Sequence, residues 1–191
     1  MGVDVIKVID LETTGLDADC QIAQLAILNL DDKLDYTDFK EYYFNIYGEM
    51  PTGAYNVNGL SQKFLEEKSG GLYFDDMKSD VLAELKNNIL VAHNAAFEKK
   101  VLTHQYGDAL KCRWICTMLR YTPTLAINLK SNNGAYKHIN LSELLNASLL
   151  ENGETLESLN RRFKDLTGRE CRQHDALGDV FYTAYGLKTF G

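Results

Sequence analysis

Asp10 and Glu12 stand two residues apart, just beyond the apolar run VDVIKVI (3–9) and just before Thr-Thr-Gly. On an extended strand such residues point to the same face. The two carboxylates therefore project together at the C-terminal end of a first strand, where open α/β sheets place ligands. Like charges in a partly buried place repel, and a divalent cation that prefers hard oxygen ligands, Mg²⁺ or Mn²⁺, relieves them. A solvated acidic turn is the other reading of the same residues. A third acid, Glu98, falls in VAHNAAFEKK (91–100), where a short buried strand gives way to a helix. In a first helical turn it would also answer the helix dipole with no chemical role. HDALGD (174–179) adds an imidazole and a carboxylate near the C-terminus. Five helical residues subtend about 140°, so His174 is read on the approach to a helix and Asp179 on its body. A capping or surface histidine is the competing reading.

The elements that must position these groups follow from periodicity. After the first strand, QIAQLAILNL (21–30) and DFKEYYFNIY (38–47) are apolar or alternating runs that suit an antiparallel meander. From Ser61 the spacing turns helical, and a second helix is predicted over 74–87, with Met77, Val81, Leu82 and Leu85 on one face. ILVA (89–92) is a short buried strand, and Asn94 is a suitable N-cap for the helix that carries Phe97, Val101 and Leu102. A fifth strand is expected at 112–115. Helices are expected at 117–121, 141–148, 154–166 and 175–188, and the polar stretch 126–138 is read as a surface loop. Strands first and then alternating helices and strands give an α/β fold around one mixed sheet.

At 191 residues, with 45% hydrophobic and 25% charged side chains and only 2 Pro, the chain is expected to be one globular domain over 1–191. The net charge of −7 speaks against broad gripping of polyanions. The charge is uneven: residues 1–98 carry 7 basic and 18 acidic side chains, whereas 99–191 carry 13 and 9. Cys20, Cys112, Cys116 and Cys171 form no C-x2-C pair, so buried thiols of a reducing compartment are expected rather than a zinc site. There is no signal-like N-terminus and no apolar window of 18 residues, so a cytoplasmic location away from membranes is expected.

Together, D-x-E-T-T-G after the first strand, H-N-A-x-F-acid at mid-chain and H-x4-D near the end resemble the DEDDh exonucleases, the family that includes the proofreading subunit of bacterial replicative polymerases. The resemblance runs from Asp10 to Asp179. AYNVNGLS (54–61) looks like the family's loop before its first helix, CTMLR (116–120) like the segment after its fifth strand, and NLSELL (140–145) like the short helix beyond. It implies a ribonuclease H-like fold with a central mixed five-stranded sheet flanked by helices. It also implies two divalent metals, Mg²⁺ or Mn²⁺, held by Asp10, Glu12, Glu98 and Asp179, with His174 activating water. By the same resemblance Thr13, Thr14 and Gly15 lie against a terminal nucleotide, Leu16 acts as a wedge at the last base step, and Glu12 also bonds the 3′-hydroxyl. Asn58 and Leu60 fall where the family has contacts to that nucleotide. Leu16 and Leu60 could equally be plain core, and Phe97 is read as core behind the site.

Glu98 departs from the family, which has Asp there; the extra methylene adds roughly 1.5 Å and points to altered metal preference. Arg161, Arg162, Lys164, Arg169 and Arg172 either attract phosphates or pair with nearby glutamates. The implied activity is 3′–5′ hydrolysis of single-stranded DNA to nucleoside 5′-monophosphates, alone or beside a DNA polymerase. Trimming of RNA 3′ ends is one alternative, and a nucleic-acid-binding module weakened at Glu98 is another.

Overall fold

The computed structural model describes residues 5–125, 137–172 and 174–191. The greater part of the polar stretch expected as a surface loop, 126–136, lies outside the described residues. Five strands form one sheet in the order β3-β2-β1-β4-β5: β1 (Ile6–Thr13), β2 (Ile22–Leu30), β3 (Tyr36–Tyr43), β4 (Ile89–Ala92) and β5 (Arg113–Cys116). The β1–β2 and β2–β3 pairs are antiparallel, and β1–β4 and β4–β5 are parallel, which makes the expected mixed sheet.

Alternation along β1 divides the molecule into two layers. Val8 belongs to the core cluster that contains Ala26, Leu28 and the apolar faces of α6 (Leu141–Asn152), α7 (Leu156–Thr167) and α8 (Ala176–Phe190). Ile9 and Leu11 belong to the opposite cluster, with α3 (Phe74–Leu85) and α4 (Ala95–Tyr106). By the same period of two, Asp10 and Glu12 share the Val8 face and look toward α8. Strand β4 runs parallel to β1, so the N-terminus of α4 opens at the same sheet edge.

Several boundaries differ from the sequence reading. β1 extends through Asp10 and Glu12 to Thr13, because β2 continues to pair with it. Strand β3 ends at Tyr43, so Tyr47 lies beyond it, stacked on Tyr73 with centroids 4.2 Å apart. Residues 54–58 are not loop: they belong to α1 (Thr52–Asn58), which follows Pro51 and ends at Gly59 in the left-handed region. The expected helix after Ser61 is α2 (Gln62–Ser69), capped by the Ser61 side chain. Asn94 does occupy the N-cap of α4, but its side chain caps nothing. Helix α5 (Thr117–Leu125) runs through Pro123, beyond the predicted end at 121.

Candidate active site

Three carboxylates converge at the end of β1. Asp10, Glu12 and Asp179 each offer an oxygen within 4.8 Å of the others. The first two come from one face of β1 and the third from the first turn of α8, which lies across that face. A shift of register between Glu12 and Thr13, opposite Ala23, re-aims the strand next to this cluster. Burial pushes all three carboxyls up. Asp10 stands well above the usual carboxylate range, through burial first and then the charges of Asp179, Glu98, Glu12 and Asp175. Glu12 rises to about 8, again through burial and then Asp179 and Asp175, against a lowering hydrogen bond from Asn58. Asp179 rises to about 7 by burial and Asp175, and the backbone N–H of His174 opposes this.

Glu98 is outside this tight trio but bears on it. It lies in the first turn of α4, is only 3% exposed, and leaves Oε2 without a hydrogen-bond partner. Burial lifts it to about 8, and its charge acts on Asp10 and Glu12. Asp179 Oδ1 is likewise buried without a partner. A compact, all-oxygen, mutually repelling donor set with unpartnered buried oxygens fits a hard divalent cation.

His174 sits on the turn before α8 with its side chain exposed and φ of 57°, an uncommon conformation for a residue other than glycine. It lines a cavity of about 310 Å³ together with Asn58, Leu60 and Arg172. A second cavity of about 510 Å³ is lined by Glu12, Thr13, Thr14, Gly15, Leu16, Asn58, Val57 and Phe97. Asn58 borders both. Its amide donates to the Thr13 carbonyl at 3.3 Å and its oxygen accepts from Leu60 N at 3.0 Å, which ties α1 to the end of β1.

The expected substrate contacts divide. Leu16 is 79% exposed, so core packing does not explain it, whereas Leu60 is buried with Ala23, Ile46 and Leu65. The hydroxyls of Thr13 and Thr14 serve the loop itself: Thr13 donates to the Gly15 carbonyl at 2.6 Å, and Thr14 accepts from Gln21 N at 2.9 Å. Phe97 is half-buried and forms cavity wall rather than core alone. Lys100 donates to the Leu16 carbonyl and lies 5.6 Å above the Phe97 ring. The expected basic patch is mostly consumed, with Arg161 on Glu157, Arg162 on Glu154, Lys164 on Glu170 and Arg169 on Glu41 and Asp175. His93 of the mid-chain motif is structural. Its Nε2 faces the Ile139 carbonyl at 3.1 Å and so carries the proton, leaving Nδ1 to accept from Thr117 at 3.0 Å. Sequence reasoning missed Gln24, Glu41 and Lys100, whose spacing carries no motif.

The family model described as Exonuclease, of the RNase T type, matches residues 8–187. The chain belongs to this exonuclease family. Among curated relatives, the exonuclease is 28% identical over 179 residues to the DNA polymerase III subunit epsilon of Rickettsia prowazekii, which covers 91% of this chain and 68% of that protein. It is 29% identical over 121 residues to the same subunit of Buchnera aphidicola, covering 59% and 50%. Among solved structures, exonuclease I from Methylocaldum szegediense superimposes with a TM-score of 0.67 at 16% identity over 98% of this chain. E. coli exonuclease I in complex with a dT13 oligonucleotide gives 0.66 at 15% over 97%. The chain spans only 40% of either exonuclease I chain, and at such identity the likeness is one of fold. That fold is ribonuclease H-like, as the sequence resemblance implied. Among the described residues no helix is long and apolar enough to cross a membrane.

Proposed function

We propose that this exonuclease is a metal-dependent 3′–5′ enzyme that hydrolyses the terminal phosphodiester of single-stranded DNA and releases nucleoside 5′-monophosphates. The observation that carries this is the convergence of Asp10, Glu12 and Asp179 within 4.8 Å, with buried Glu98 acting on them and the backbone N–H of exposed His174 bonded to Asp179. Asp10, Glu12, Glu98 and Asp179 would hold two divalent ions, Mg²⁺ or Mn²⁺. When bound, such ions supply a stronger water nucleophile and neutralise charge on the leaving oxygen. His174 takes the proton of the attacking water on a ring nitrogen, the general-base task for which an imidazole is the commonest side chain. Glu12 accepts from the 3′-hydroxyl of the last nucleotide. Leu16, Val57 and Phe97 offer apolar surface to its base, and Asn58 borders both this cavity and the one that His174 lines.

Similarity to DNA polymerase III epsilon subunits, and to an exonuclease I solved with a DNA oligonucleotide, supports DNA as the substrate and a DNA polymerase as a partner in the cytoplasm. The net charge of −7 suits an enzyme that holds only the last nucleotides of a strand, since two divalent cations would offset four of those charges. Digesting end-labelled DNA and RNA of one sequence side by side tests the substrate. Faster shortening of the DNA is expected, and faster shortening of the RNA would reassign the enzyme to RNA ends.

A further inference from the structure

We infer that Arg169, Gln24 and Glu41 are positioning residues that fix His174 beside the carboxylate site by fastening its neighbour Asp175 to the sheet. This rests on the reading of His174 as the proton acceptor. The His174 side chain is exposed and its backbone lies in the left-handed region, so its placement depends on what holds the turn.

The turn is held through Asp175. Arg169 Nη2 donates to Asp175 Oδ1 at 3.1 Å, and Nη1 lies 3.0 Å from Oδ2 as an ion pair outside hydrogen-bond geometry. Gln24 Nε2 donates to the same Oδ1 at 2.9 Å, and Gln24 Oε1 accepts from Ala176 N at 3.3 Å. Glu41 closes the group: it accepts from Gln24 Nε2 at 2.9 Å, from the Tyr43 hydroxyl at 3.1 Å and from Arg169.

The sheet register explains why this network reaches the site. Gln24 is the cross-strand partner of Glu12 on β1 and of Tyr43 on β3, while Ala26 joins Asp10 to Glu41 in the next row. The network and two of the metal-binding acids thus share one face, under the start of α8. Gln24 is 1% exposed, a polar side chain at a place where an apolar one would cost less to bury. Gly178 completes the arrangement, because a Cβ there would lie 2.7 Å from the Arg172 carbonyl and 2.9 Å from Cys171 Sγ. Its absence lets Cys171 and the Arg172 carbonyl rest directly on α8.

A double-mutant cycle tests the assignment. Steady-state hydrolysis of a single-stranded DNA oligonucleotide is compared in the wild type, Arg169→Met, His174→Ala and the double variant. Displacing a general base by about an ångström costs on the order of 10²-fold. Arg169→Met is expected to lower kcat by that order with KM nearly unchanged, and to cost nothing further once His174 is Ala. Equal losses in both backgrounds, an unchanged kcat, or a change confined to KM would overturn the assignment. Arg169→Lys, which keeps the charge without the two-pronged geometry, is expected to restore only part of the rate. Should Arg169→Met not fold, Gln24→Met is read by the same cycle. Amide hydrogen exchange over 174–176 gives a reading independent of activity: it is expected to quicken in Arg169→Met, and unchanged exchange counts against the proposal. An inactive wild type would defeat the proposed function, while the exchange measurement would still judge the positioning role.

Discussion

Replacing Asp10 by Asn should make the metal-free protein more stable while abolishing its response to metal. The reason is electrostatic. Two unit charges 4.8 Å apart repel by about 3.5 kcal/mol at an effective dielectric constant of about 20. With Glu12 near 8 and Asp179 near 7, the cluster is partly protonated at pH 8, which reduces the relief from removing one charge to about 1–2 kcal/mol. For a chain of this size that is a rise in Tm of about 2–8 °C. The pH dependence has a definite sign. An acid whose folded pKa is raised binds more protons folded than unfolded between its ordinary value and the raised one. Metal-free wild type therefore loses stability as pH climbs from about 5 through 8, and the advantage of Asp10→Asn grows over that range and vanishes toward pH 5. Thermal denaturation in EDTA and in excess Mg²⁺ or Mn²⁺, at pH 5, 6.5 and 8, reads both effects. An Asp10→Asn protein less stable than wild type in EDTA at pH 8, or one that gains as much from metal as the wild type does, would refute this electrostatic picture.

Further expectations follow from single contacts. Glu98→Asp should raise activity with Mg²⁺ relative to Mn²⁺, because the shorter carboxylate changes the reach of a buried acid whose Oε2 has no partner; the ratio of initial rates with the two ions checks it, and an unchanged ratio contradicts it. Lys100→Met removes the donor that holds the Leu16 carbonyl. It should raise KM for a DNA 3′ end by about 3–10-fold, the equivalent of one hydrogen bond of modest net strength, with kcat retained in steady-state assays. Gly178→Ala forces a methyl against the Arg172 carbonyl and should cost about 1–3 kcal/mol by overpacking, seen as a lower denaturation midpoint.

The sequence made the sheet and the acids readable for a simple reason. β-branched runs and a period of two place Asp10 and Glu12 together, the junction of β4 with α4 places Glu98 near them, and the first turn of α8 brings Asp179 across. Helix α1 was hidden because TGAYNVN buries none of its residues and combines Gly, Asn and β-branched side chains of low helix propensity. The Arg169 network was hidden for another reason: Gln24, Glu41 and Asp175 become neighbours only through the register of β2 against β1 and β3 and the docking of α8. Leu16 and Leu60, alike in type, were separable only by tertiary burial. Buried thiols are expected from the cysteine spacing, but only Cys20 is buried; Cys112, Cys116 and Cys171 are half-buried, and all four are unbridged.

Metal-dependent 3′–5′ hydrolysis is tested by incubating a 5′-labelled single-stranded DNA with the purified protein and Mg²⁺ or Mn²⁺, beside the His174→Ala variant. A ladder that shortens from the 3′ end with release of nucleoside 5′-monophosphates is expected, slowed by about 10²–10⁴-fold in the variant. Internal cleavage, shortening from the 5′ end, or no product with either metal would contradict it.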